Sequence, residues 1–124
     1  MSKAEKLIKN ISQRISDLKS KESELKAKLL SNFYGYFDVY SEDLLKTQVL
    51  IGEYERTLNY ISVADSSIIE KYLLERRQVI LNSLMEDKLS GISSNQYYNL
   101  KYISTIEVNR KIAYELYNWL SILK

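Results

Sequence analysis

Not one proline interrupts the 124 residues of this chain. Proline is the strongest helix breaker, and an average sequence of this length carries about six. Glycine, the next strongest, occurs only at Gly35, Gly52 and Gly91. With so few points where the backbone is obliged to turn, the chain is expected to be helical almost throughout. Its hydrophobic fraction of 45% suits one globular core and is too high for a disordered segment.

Apolar spacing locates the helices. Ala4, Ile8, Ile11, Ile15, Leu18, Leu25 and Leu29 fall on alternating steps of four and three. That period of 3.5 marks a helix that lies along another helix. Ser2 and Glu5 form a capping box at its start, and the pattern predicts a helix over 3–31. Glu22 occupies a seam position suited to an apolar residue, so it either ends the close packing or pairs with a cation on the facing helix. An aromatic run follows: Phe33, Tyr34, Tyr36, Phe37 and Tyr40, around Gly35. Its spacing suits further helix and a loop equally.

The second helix is read as 42–62, capped by Ser41, with Glu42 and Asp43 in its first turn and Tyr40 and Leu45 as a hydrophobic staple. Leu44, Ile51, Tyr54, Leu58 and Ile61 form its stripe, and Gly52 inside it implies a close helix crossing. The third is read as 67–90, from a Ser67/Glu70 capping box to Ser90–Gly91. Ile69, Tyr72, Leu73, Ile80 and Leu84 make one apolar face and Leu74, Leu81 and Met85 a second, so this helix is expected to be the most buried. The fourth, 94–123, opens on a Ser93/Gln96 box with Ile92 and Tyr97 as staple. Tyr102, Ile106, Ala113, Leu116, Leu120 and Leu123 continue it, with Asn109 interrupting the seam. The expected fold is all-α: a single helical domain, 1–124, built as an antiparallel four-helix bundle with a long heptad-patterned N-terminal helix.

Charge is unevenly spread. Residues 1–30 carry a net +4, residues 31–66 a net −4 and the remainder +2, which together give the chain's +2. The acidic second helix is therefore the natural mate for the basic first. A parallel self-pairing of helix 1 would set Arg14 against Lys19 and Lys21 against Lys26.

Residue types narrow the chemistry. Histidine and cysteine are absent, which removes the commonest general base, the thiolate nucleophile and the usual transition-metal ligands. Glu42/Asp43 and Glu86/Asp87 are sequence neighbours, so on a helix the members of each pair diverge by about 100° and do not converge on a cation. No Gly-x-Ser-x-Gly elbow or phosphate-cradling loop occurs. The expectation is a protein without catalytic, metal or cofactor sites. No run approaches 18 apolar residues, so no membrane span is expected, and the cytoplasm is the expected compartment.

Partner binding remains. Eleven tyrosines and one tryptophan exceed what a small bundle needs, and such side chains favour interfaces. The candidate interface residues are Leu74, Leu81 and Met85 on helix 3 and Val108, Ile112, Trp119 and Ile122 on helix 4. They suit another protein or a second copy, one set packing inside and the other serving as the contact. The alternative is a nucleic-acid accessory protein. Its candidate contacts are Arg14, Lys19, Lys21, Lys26 and Lys28 on helix 1, the doublets Arg76–Arg77 and Arg110–Lys111, and Tyr97 with Lys101, where a ring and a cation interleave. No motif is specific enough to name a family.

Overall fold

The structure, a computed structural model, describes the backbone of residues 2–90 and 96–124, and the side chains of 2–65, 67–85 and 105–124. Four helices carry the chain: α1 (Lys3–Ser31), α2 (Phe33–Ile61), α3 (Ser66–Ser90) and α4 (Gln96–Leu123). No strand occurs among the described residues, so the fold is all-α.

α1 starts as its sequence dictates. The Glu5 amide donates to Ser2 Oγ at 3.1 Å, and the Ser2 amide donates to the Glu5 carboxylate at 3.4 Å, which is the reciprocal capping box. Leu7, Ile11, Ile15 and Leu25 are buried, with Ala4, Ile8, Leu18 and Leu29 half-buried. Leu7, absent from the expected seam, is among the most buried residues of the chain. Glu22 is half-buried, and its carboxylate lies 3.9 Å from Lys26 on its own helix, not from a cation on a facing one.

The largest departure is the start of α2. The sequence places it after Ser41, but it begins at Phe33, so the aromatic run forms its first turns and Ser41 and the Tyr40/Leu45 pair lie inside the helix. The cause is Asn32. Its backbone is extended (φ −158°, ψ 84°), and its side-chain oxygen accepts the Gly35 amide at 3.0 Å. Its carbonyl accepts the Tyr36 amide at 3.0 Å, the first turn of α2. Asparagine is among the best residues for this position. Behind it, the Lys28 carbonyl accepts both the Asn32 amide and Ser31 Oγ, closing α1.

α2 ends at Ser62, whose amide and hydroxyl both donate to the Leu58 carbonyl. α3 then starts one residue before Ser67. The Asp65 carbonyl accepts the amides of Ile68 and Ile69, so the turn is closed from Asp65 and not from a Ser67/Glu70 box. The box and staple read for helix 4 lie outside the described residues.

The chain divides into two compact units, Met1–Leu7 with Ala64–Lys124, and Ile8–Val63. In the second, the expected match of basic α1 with acidic α2 takes the form of an ion pair, Lys19 to Glu55 at 3.5 Å, and of the Lys28 ammonium 4.7 Å from the Tyr40 ring centre. Both ion-pair partners are about half exposed, so the pair contributes at most about 1 kcal/mol. The buried side of α2 is Thr47, Leu50, Ile51, Tyr54, Thr57 and Ile61. The two threonine hydroxyls donate to the carbonyls of Asp43 and Glu53, four residues back, which lets both sit in the core with their polar group satisfied.

In the first unit, α3 packs along α4, and Lys3 Nζ donates to the Lys124 carbonyl. Among the described residues α4, not α3, is the most buried helix. Val108, Ile112, Ala113, Glu115, Leu116, Trp119 and Leu120 are buried there, against Ile69, Leu73 and Ile80 on α3. The two apolar faces of α3 do not both find cover, because Leu74 and Met85 remain exposed.

The two described glycines behave oppositely. At Gly52, an added Cβ meets nothing within 4 Å, so no helix crosses there and the residue simply weakens an exposed helical position. At Gly35, a Cβ would stand 2.6 Å from the Asn32 amide nitrogen and 2.9 Å from its Cγ, inside the capping side chain. Gly52→Ala is therefore expected to stabilise the protein by about 0.5–1 kcal/mol. Gly35→Ala is expected to bring no gain or a net loss, since displacing the Asn32 cap costs about 1 kcal/mol. Urea denaturation of the two variants beside the wild type reads the difference in sign.

Candidate protein-interaction surface

The sequence offers two candidate contact sets on α3 and α4, and the structure separates them. Val108, Ile112 and Trp119 are buried and Ile122 is half-buried, so these α4 residues are core and not contact surface. Trp119 is 0% exposed. The reason lies in the angular spread of α4, whose apolar positions cover one broad arc that its own fold fills. On α3, Leu74 and Met85 stay exposed and Leu81 is half-buried. Arg77, one turn from both Leu74 and Leu81, lies with its guanidinium 5.7 Å from the centre of the Tyr117 ring, and Tyr117 is itself exposed.

A more extensive exposed apolar surface surrounds the α1–α2 corner. Every residue from Leu30 to Val39 is exposed. Leu30 is 87% exposed, Tyr34 96%, Phe33 57% and Phe37 47%, with Tyr36 and Val39 also open. The rings are not splayed at random. Phe33 and Phe37 lie 5.2 Å apart between centroids, Phe33 and Tyr34 6.0 Å in a T-shaped pair, and Tyr36 and Tyr40 5.4 Å. These are ordinary separations for interacting aromatic side chains.

The position of this cluster on α2 gives it meaning. Phe33, Phe37, Tyr40, Leu44, Thr47, Ile51, Tyr54, Leu58 and Ile61 follow steps of four and three without a fault. They form one stripe down the helix. Its lower part is core: Thr47, Ile51, Tyr54 and Ile61 are buried. Tyr40 and Leu44 are half-buried, and Phe33 and Phe37 at the upper end are exposed. The same apolar stripe thus runs from the interior out into solvent. Sequence reasoning notes the spacing of Phe33, Phe37 and Tyr40 but starts the helix after them. Joining the run to Leu44 and Ile51, with a threonine admitted to the stripe, is the signal that finds it.

On α1 the basic candidates do not form a common face. Lys19 pairs with Glu55 and Lys26 with Glu22, Lys28 sits over Tyr40, and Lys111 lies 3.9 Å from the buried carboxylate of Glu115. Arg76 and Arg77 are half-buried. On α1 the cations divide between two flanks, with Arg14, Lys21 and Lys28 on one and Lys19 and Lys26 on the other. Arg14, Lys21 and Arg110 are exposed. The side chains of Tyr97 and Lys101 lie outside the described residues. Among the described residues no group of three or more acidic side chains gathers where it could hold a metal ion, and no helix is long and apolar enough to cross a membrane. No protein-family model, curated protein or solved structure matches the chain.

The separation of core from surface has a direct thermodynamic reading. Trp119→Ala is expected to cost about 3–5 kcal/mol. Met85→Ala, at a side chain 64% exposed, is expected to change stability by less than about 0.5 kcal/mol. Urea unfolding of both variants checks the assignment.

Proposed function

We propose that this protein is a non-catalytic assembly or adaptor subunit of the cytoplasm, folded as an antiparallel helical bundle and working through helix-to-helix contact. The observation that supports this reading is the apolar stripe of α2, core at Ile51 and Tyr54 and open to water at Phe33 and Phe37. Scattered exposed apolar residues are normal on any protein, but a contiguous aromatic cluster is characteristic of a contact site. Phenylalanine and tyrosine supply large apolar area at low rotamer cost, which favours them as anchors in a partner's pocket. The exposed Leu74 and Met85 of α3 make a smaller second surface.

Nucleic-acid binding is the other reading, and the division of the α1 cations between two flanks argues against it. Phosphate recognition depends on many cations acting together along one track, and here several are engaged within the chain.

Site-specific photo-crosslinking in the native cell tests the proposal. A benzophenone side chain replaces Tyr34, within the cluster, or Arg56, exposed about six turns further along α2. A discrete protein adduct from position 34 and none from position 56 is the expected result. An adduct with nucleic acid would replace the reading with its alternative, and no adduct from position 34 would overturn it.

A further inference from the structure

The exposed end of the α2 stripe is shaped for a particular occupant, a second copy of itself. We infer that two chains pair through a two-fold contact in which the Phe33–Leu44 segments of α2 lie antiparallel, with Phe37 near the axis. This rests on the contact-surface reading above and supplies its partner.

Three observations carry it. The first is the pattern. The stripe keeps the four–three spacing of helix-on-helix packing through Phe33, Phe37, Tyr40 and Leu44, so the occupant that fits is another helix with the same period. The same segment of a second copy has that period by construction, and a two-fold axis makes the surface self-complementary.

The second is area. Val39 faces away from Phe37 on the helix, but the exposed fractions of Leu30, Phe33, Tyr34, Tyr36 and Phe37 together amount to a little over three whole side chains. At about 200 Å² each, the cluster offers roughly 650 Å² per copy, the lower end of the share that one partner contributes to a standard interface.

The third is charge. The corner carries Lys26 and Lys28 on its α1 side and Asp38, Glu42 and Asp43 on its α2 side. The patch is nearly neutral, which suits neither a polyanion nor an anionic surface. Antiparallel pairing about Phe37 moves residues 41–43 of each copy towards the α1–α2 corner of the other. There Asp43 meets both Lys28 and the N-terminal end of the partner's α2, each of which favours a carboxylate. Parallel pairing of α1 along its own seam sets cation against cation; this contact avoids that seam.

The chain contains no cysteine, so one introduced thiol reports on the contact without interference. Under mild oxidation Phe37→Cys is expected to give a disulfide-linked dimer, and Tyr114→Cys, on α4 and more exposed than Phe37, is expected to stay monomeric. Sedimentation equilibrium of the full chain is expected to show a reversible dimer. Phe37→Glu is expected to weaken it at least about thirtyfold while leaving the helical circular dichroism unchanged. Asp43→Lys is expected to weaken the dimer, and adding Lys28→Glu to restore part of the loss.

Equal cross-linking of the two cysteine variants, or a dimer indifferent to Phe37→Glu, would overturn the pairing. So would a chain that stays monomeric up to about 1 mM. In that last case a foreign protein captured from position 34 leaves the contact-surface reading standing, and the absence of any adduct removes both.

Discussion

Asn32 is the whole of the connection between two helices of 29 residues each. Helix termini leave four amides or four carbonyls without intrahelical partners, and a break in the middle of a helical chain creates both sets at once. One asparagine answers part of each. Its side chain takes the Gly35 amide, and its own amide goes back to Lys28. Gly35 leaves the Asn32 side chain free to take this position, because an added Cβ would stand 2.6 Å from its Nδ2 and require it to shift. Where this break falls decides which residues of α2 enter the core and which remain outside.

The break was legible only in part. Ser2 and Glu5 could be read as a capping box because serine and glutamate at that spacing have few other uses at a helix start. At residues 31–35, by contrast, Ser31, Asn32 and Gly35 compete with Ser41 a few residues on, followed by two acids. Local propensity favours the second site. The deciding factor is that Asn32 and Gly35 act together, a pairwise steric fit that composition and periodicity do not encode. The start of α3 shows the same limit, for the Asp65 carbonyl rather than a Ser67 side chain receives its first amides.

The core was legible where apolar residues are sparse and illegible where they are abundant. On α1 the seam picked out Ile11, Ile15 and Leu25 correctly and missed Leu7, which lies beside it. On α2 the apolar rule passed over Thr47 and Thr57, since a hydroxyl counts as polar until its i−4 carbonyl is considered. On α3 and α4 the sequence offers more apolar surface than one stripe needs, and nothing in a single helix says which arc a neighbour will cover. That is why Trp119, taken as a contact candidate, is core, while Leu74 and Met85, taken the same way, are exposed. Glu115 completes the lesson: a buried carboxylate at the edge of the apolar arc of α4 carries no sequence mark of its burial.

A connection of one residue has no slack. Surface loops absorb insertions because extra residues bulge outward at little cost in free energy. Between Ser31 and Phe33 there is no such loop. An added residue must join a helix, turning everything beyond it by about 100°, or enter the corner and change the direction in which α2 departs. Either way the whole apolar stripe of α2, from Phe33 to Ile61, loses its alignment with the seam of α1. The corner is a ruler, tolerant of many substitutions on its exposed sides and intolerant of any change in length.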